Sequence, residues 1–470
     1  AGNGGVACAI HCAVEGDWWL WSVRRVVGSC RSLPPSSAPT GTITTYFPNI
    51  DVRKAEEGVF RSRYWESLHD ALQDDAGAGN TPAVRWLFVL FPSPQGSLAQ
   101  CCGFRDNFRK SRKSGVSFNY LEEFLTPGSV LKSLVRYTRI AIMSAVFGKK
   151  IRSSFHFADS TLDLWPLLSG EYAESFRGWR CLERCLQQKG IENYVALSGR
   201  QRYWTFPLEN CPWERMLTHA VHEAGAGTVY GAQHSTIRPT DFRYFDDPRT
   251  FSDPGTSTFQ PDYVVGNGSA AVNQWADAGV PEARLRKAEA LRYLYLAGSE
   301  PAPFTGTPGD LLVVTSFFRD ETEAHLKLLA EALQAGLLGN FRVTVKPHPY
   351  LPVQERLSGL LHGRTEGLRF STAPIADELA CNPLVWASNS TTVALEAAIK
   401  GLPVMVMQPS GDFDLCPLQN IKELPRTSNL DDVRAALSSA APLSLAPDYL
   451  LLDTSLTAWR TMLGLRHMGS

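Results

Sequence analysis

Two short stretches of this chain gather residue types that hold phosphate. The first is Phe341-Arg342-Val343-Thr344-Val345-Lys346-Pro347-His348-Pro349, and the second is Trp386-Ala387-Ser388-Asn389-Ser390-Thr391-Thr392-Val393-Ala394-Leu395-Glu396. Alternating β-branched residues from Val343 predict a strand that delivers the Lys346 ammonium and the His348 imidazole to its tip, where Pro347 and Pro349 stop it. In the second stretch an apolar strand empties through small hydroxyl residues into a helix, whose free N–H groups and dipole attract an anion. A nucleotide phosphate fits between them. Lys346 would neutralise it, His348 would donate to it as it leaves, and Ser388, Asn389, Ser390, Thr391 and Ser316 would hold it. Glu396, one turn into the helix, is placed to accept from a ribose hydroxyl; the plain alternative is an exposed helical glutamate.

A second constellation runs from Gly231 to Asp247, directly after the predicted strand Thr228–Tyr230, and concentrates His234, Asp241, Asp246, Asp247, Arg238 and Arg243 in one loop. Loops at strand ends carry function more often than packing does. His234 is a candidate base, Asp241 its partner or a nucleophile, and Arg243 and Arg238 candidate anchors for a substrate carboxylate. The alternative is a surface loop bridged by its own ion pairs. Glu209, just before a helix opened by Pro212, is a further catalytic candidate facing the cleft, whereas Glu214 is expected on the helix exterior. His219, His222 and Glu223 share a helical face, but their order matches no zinc motif, and no metal is expected.

These groups need a scaffold, and the sequence supplies one. After the Pro/Gly-rich stretch Gly298 to Gly309 come strand Leu311–Thr315, helix Glu321–Ala335, strands Phe341–Val345 and Leu368–Phe370, helix Ile375–Ala380, strand Leu384–Trp386, helix Ser390–Lys400 and strand Val404–Met407. Gly401 and Pro403 end that last helix. Such alternation predicts a parallel sheet with ligands beyond the strand C-termini. Upstream, strands are predicted at Trp86–Phe91, Tyr194–Leu197, Thr228–Tyr230 and Tyr263–Val265, with a helix over Ala270–Ala278. The fold class is therefore α/β. The domain expectation is an N-terminal acceptor-side α/β domain over 1–296 and a nucleotide-binding Rossmann-like domain over 297–445. A C-terminal segment over 446–470 carries a helix expected to pack back on the first domain and the cloning remnant His467-Met468-Gly469-Ser470.

With 470 residues, 44% hydrophobic content and a formal charge of −1, the chain is globular, and no bulk field recommends a nucleic acid partner. Between Arg105 and Arg152, however, 11 basic residues face 3 acidic ones. That tract, with the apolar run Ile140 to Phe147, reads either as a peripheral contact with an anionic membrane or as a buried helix with basic flanks. Ten dilute cysteines fit a reducing cytoplasm, no N-terminal stretch reads as a secretory signal, and no apolar run is long enough to span a bilayer. Neither a Gly-x-Gly-x-x-Gly nor a P-loop pattern is present, which argues against dinucleotide enzymes and kinases.

The chain resembles the two-domain GT-B glycosyltransferases, and among them the bacterial users of CMP-sugars: sialyltransferases, capsule Kdo transferases and related surface carbohydrate biosynthesis proteins. Lys346-Pro347-His348-Pro349 is similar to their His-Pro motif and Ser388-Asn389-Ser390-Thr391-Thr392 to their Ser/Thr motif. Tyr46 to Asp51, Arg61 to Trp65, Glu209 to Glu214 and Gln233 to Tyr244 extend the likeness over most of the chain. Gln233-His234-Ser235 stands where the capsule Kdo transferases have Glu-Asp-Gly. The resemblance implies two Rossmann-like domains facing a cleft, and metal-independent transfer of Kdo or a nonulosonate from its CMP ester to an oligosaccharide or lipid-linked glycan. His348 and Ser388–Thr391 would hold the leaving group, while His234 or Asp241 would manage the acceptor. A CDP-polyol phosphotransferase and a non-catalytic sugar-nucleotide-binding protein are the competing expectations.

Overall fold

The computed structural model describes Leu33, Asp241 and residues 41–77, 84–90, 97–111, 116–156, 160–238, 243–298 and 309–465. The expected boundary at 298–309 lies largely outside these residues, as do Pro239, Thr240 and Phe242 of the loop after Thr228–Tyr230.

The first unit is built on a seven-stranded sheet, every pairing parallel. In chain order its elements are β1 (Gly41–Phe47), α1 (Val52–Glu56), α2 (Glu66–Gly77), β2 (Val84–Leu90), α3 (Leu98–Ser111), β3 (Val116–Tyr120), α4 (Pro127–Arg152), α5 (Trp165–Arg177), α6 (Trp179–Ser198), β4 (Tyr203–Pro207), α7 (Pro212–Glu223), β5 (Thr228–Ala232), α8 (Pro254–Ser257), β6 (Tyr263–Gly266), α9 (Ser269–Asp277) and β7 (Leu285–Lys287). The strand order is β3-β2-β1-β4-β5-β6-β7. A parallel sheet is covered on both faces, so its strands read as continuous apolar runs. β2 shows this: Trp86, Phe88 and Leu90 enter one core with Ile43 and Phe47, while Leu87 and Val89 enter another with Trp204 and Phe206.

The second unit comprises β8 (Asp310–Val314), α10 (Arg319–Gln334), β9 (Arg342–Lys346), α11 (Gln354–Leu360), β10 (Arg369–Phe370), α12 (Ile375–Leu379), β11 (Leu384–Ser388), α13 (Val393–Ile399), β12 (Val404–Met407), β13 (Arg426–Thr427) and α14 (Leu430–Ser439). Its six strands run β10-β9-β8-β11-β12-β13, again parallel. The order reverses between β8 and β11, the switch point where open sheets bind ligands. Val385 and Ala387 face the core under α13, and Leu384 and Trp386 the core under α10 and α14. A last helix, α15 (Thr457–Leu463), returns to the first unit. Its Trp459 and Leu463 join the core of Ile43 and Trp65, and Glu289 accepts from the N–H groups of Ala458 and Trp459 at 2.8 and 3.0 Å.

The strand expected at Tyr194–Leu197 is instead the end of α6. Ile191, Tyr194 and Val195 are buried at spacings of three and four, the period of a helix. The helix expected from Ser390 begins at Val393, and Ser390–Thr392 form the turn that leads into it.

Candidate functional site

In the first unit β4 and β5 are neighbours, so the loops leaving their C-terminal ends meet. Glu209 leaves β4 and His234 leaves β5, and Nε2 of His234 lies 3.2 Å from Oε1 of Glu209. The ring of Tyr64 packs edge-on against the imidazole at 4.6 Å. Burial, then the Arg292 and Arg243 charges, lowers the His234 pKa to about 3, and burial raises the Glu209 carboxyl. The imidazole is thus neutral at neutral pH. With Nε2 turned to a carboxylate, its lone pair falls on Nδ1, which is buried and has no partner among the described residues. Gln233 fixes the start of this loop, accepting from Asn267 N at 2.8 Å and donating to the Ser235 carbonyl at 2.6 Å. Tyr64, Gln233, His234, Asn267, Arg292 and Trp459 line a small cavity beside the imidazole.

Glu214 is not on the helix exterior, as expected, but is 1% exposed. Its two carboxyl oxygens accept from Glu209 N at 3.2 Å each, and burial raises its pKa to about 8. It turns inward because the loop from β4 needs its backbone donor satisfied. Asp241 and Arg243 hold each other, with guanidinium nitrogens 2.8 and 2.6 Å from the two carboxyl oxygens. Burial alone would raise the Asp241 carboxyl, and the Arg243 guanidinium overrides it, holding the group below its usual range. Arg238 reaches across to the second unit, its NH2 group donating to the Ser390 carbonyl at 2.8 Å, while its buried Nε has no partner among the described residues.

In the second unit β9 and β11 flank β8, so the strand ends that lead to His348 and to the Ser388–Thr392 turn are two strand spacings apart, about 10 Å. The His348 Nδ1 accepts from Tyr350 N at 3.3 Å, and burial lowers the pKa of the ring. A neutral ring accepting at Nδ1 carries its proton on Nε2, which makes no hydrogen bond with the described residues. Ser388 is fully buried, its hydroxyl 2.7 Å from Nδ1 of His325. Asn389 donates to the Phe413 carbonyl at 2.8 Å and accepts from Leu415 N at 3.1 Å, so it pins the loop after β12. The Ser390 N–H is taken by Glu321 Oε1 at 2.8 Å, and Glu321 Oε2 accepts from Ser316 Oγ at 3.1 Å. The Ser390 hydroxyl is buried without a partner among the described residues, and Thr391 Oγ1 accepts from Val393 N at 3.4 Å.

Two expectations change here. Lys346 points its ammonium at the Ala373 carbonyl, beside Glu378, rather than into the gap between β9 and β11. Glu396 is neither exposed nor free for a ribose. It is 6% exposed and accepts from Thr392 Oγ1 at 2.8 Å and from the Tyr295 hydroxyl. Arg292, Glu321 and His325 also reach these sites, although no motif in the sequence marks them. Glu321 and His325 stand four apart on α10, hence on one face, and both reach the Ser388–Ser390 turn. That spacing was visible, but a first-turn glutamate ordinarily answers the helix dipole.

No protein-family model matches the chain, and no curated protein sequence matches it. Similar solved structures include a UDP-N-acetylglucosamine 2-epimerase from Rickettsia bellii (13% identity, 90% of this chain and 95% of that chain, TM-score 0.43). Others are the lipopolysaccharide outer core galactosyltransferase WaaB (10%, 85% and 88%, 0.41) and Anabaena Alr3699/HepE in complex with UDP and glucose (10%, 84% and 89%, 0.39). The architecture is α/β, two parallel-sheet units of seven and six strands.

Proposed function

We propose that this chain is a glycosyltransferase that takes its sugar from a nucleotide donor, and that the donor is the CMP ester of a 2-keto sugar acid. The observation that carries the reading is the Arg238 bridge to Ser390. It sets the His234 loop of one sheet against the Ser/Thr turn of the other, which supports assigning a base to the first and a phosphate site to the second.

The leaving phosphate is assigned to the Nε2–H of His348 and the hydroxyls of Ser390 and Thr391. Charge develops there as the glycosidic carbon becomes oxocarbenium-like, and preorganised donors stabilise it without reorganisation. His234, backed by Glu209, is assigned to accept from the acceptor hydroxyl at Nδ1 and to take its proton as the bond to the sugar carbon forms, when that proton has become acidic enough for a ring whose basicity burial has lowered. Arg292 and the remaining terminal nitrogen of Arg243, whose other donors are held by Asp241, flank the pair and are assigned to the sugar carboxylate. The acceptor is a glycan, approaching from the side of the first unit.

Calorimetric titration with CMP, UDP, CDP and GDP tests the donor, and product analysis after incubation with a CMP-activated sugar acid and an oligosaccharide tests the reaction. CMP binding with sugar transfer is expected. Preference for another nucleotide removes the CMP assignment, and tight donor binding with no turnover removes the enzyme.

A further inference from the structure

α4 is built inside out. Its buried positions are Ser129, Ser133 and Ser144, small enough to let α5 and α6 approach closely. Ser133 donates to the Cys185 carbonyl at 3.1 Å and Ser144 to the Tyr172 hydroxyl at 3.0 Å, so this inner face is held by hydrogen bonds. The apolar side chains point outward instead. Leu131, Val135, Ile142 and Val146 are 64%, 63%, 58% and 67% exposed, and their spacings of four, seven and four place them on one line along the helix. Met143 and Phe147 beside them are 47% and 48% exposed, and Leu167 on α5 is 78% exposed. An ordinary surface helix does the reverse, turning its apolar stripe to the core.

Charge says what covers this stripe. α4 carries Lys132, Arg136, Arg139, Lys149, Lys150 and Arg152, all exposed, and no acidic residue. Arg136 approaches Glu192 at 3.5 Å and Arg152 approaches Asp163 at 3.7 Å, while Lys132, Arg139, Lys149 and Lys150 have no carboxylate partner among the described residues. A second copy docked by the same face would set these cations against themselves. A helix lying flat on a lipid surface needs what is present here, an apolar line with cations beside it to meet anionic headgroups. From Leu131 to Val146 the line is about 22 Å long. No helix among the described residues is long and apolar enough to cross a membrane, so the contact is one of lying on the surface.

We propose that the outer face of α4, with Leu167 of α5, docks this protein on an anionic lipid bilayer. The inference stands apart from the proposed reaction, since none of these residues belongs to the cleft. The test is flotation of the full chain with vesicles of pure phosphatidylcholine and with vesicles of equal parts phosphatidylcholine and phosphatidylglycerol. The wild-type chain floats with the mixed vesicles at low salt, stays behind with the neutral ones, and is released by high salt. The variant K132E/R139E/K149E/K150E partitions about a hundredfold or more less strongly. Ile142→Ser with Val146→Ser also loses binding, though it keeps every cation. All six positions are exposed, and circular dichroism checks that both variants fold. Wild-type chain that stays behind with the mixed vesicles overturns the proposal, as do variants that float like it. A dimer in sedimentation that the serine variant abolishes, without vesicle binding, assigns the face to self-association and overturns it equally.

Discussion

Glu209 stands 3.2 Å behind His234, and the opposite ring nitrogen of that histidine is buried with no partner among the described residues. The pair has the form of an oriented base: one nitrogen held by a carboxylate, the other kept for a proton. Replacing His234 with Ala should lower the rate of transfer on the order of a hundredfold or more, with donor affinity little changed. Glu209→Gln should cost about tenfold to a hundredfold, because the amide still positions the ring but no longer stabilises the imidazolium. Initial rates and donor titration measured on the same preparations check this. A His234→Ala enzyme at full speed would remove the base.

His348 makes a sharper case, because its tautomer follows from one bond. Tyr350 N donates to Nδ1, leaving Nε2–H for the phosphate. His348→Ala should reduce turnover about a hundredfold, and His348→Gln should restore part of it, since the glutamine amide also donates. If alanine and glutamine behave alike, the histidine acts by shape and not by its N–H.

Buried ionisable groups set an expected pH profile of stability. Burial lowers the pKa of His69 to about 4 and those of His234 and His325 to about 3, from an ordinary 6.5. Burial raises Glu122 and Glu214 to about 8, from 4.5. Below pH 6.5 the unfolded chain binds protons that the buried histidines refuse, so stability falls as the pH drops. Between 4.5 and 8 the folded chain keeps two protons that the unfolded glutamates release, so stability falls as the pH rises. The two limbs cross at about pH 6, where melting temperature should peak. Glu214→Gln should flatten the alkaline limb and move the peak upward, as read by thermal denaturation across that range.

The second unit was legible because its strands are short apolar runs closed by glycine and proline, as at Val404–Met407 behind Gly401 and Pro403. The first unit hid more. β1 reads as polar, yet Thr42, Thr44 and Thr45 are at most 1% exposed, since a central strand buries whatever it carries. α4 left two readings open, a membrane-surface helix and a buried helix with basic flanks, because an apolar period does not say which way it faces; the structure turns it outward. At the site, residue types at strand ends were readable, and their partners were not. Glu321 and Ser390 are 69 positions apart and meet only because β8 and β11 are neighbours.

Arg238 offers the most discriminating substitution. It joins the two units through a hydrogen bond to the Ser390 carbonyl at 2.8 Å, and its buried Nε, without a partner among the described residues, still has a proton to give. A hydrogen bond from a charged donor is worth about 1.5–3 kcal/mol. Arg238→Met keeps the bulk of the side chain and loses both donors. Donor affinity should then fall about tenfold to a hundredfold, and amide exchange in the Ser388–Thr392 turn should quicken even without ligand. Faster exchange with unchanged affinity would confine Arg238 to holding the turn. Slower turnover with neither change would place it on the substrate instead, so the two measurements together separate its roles.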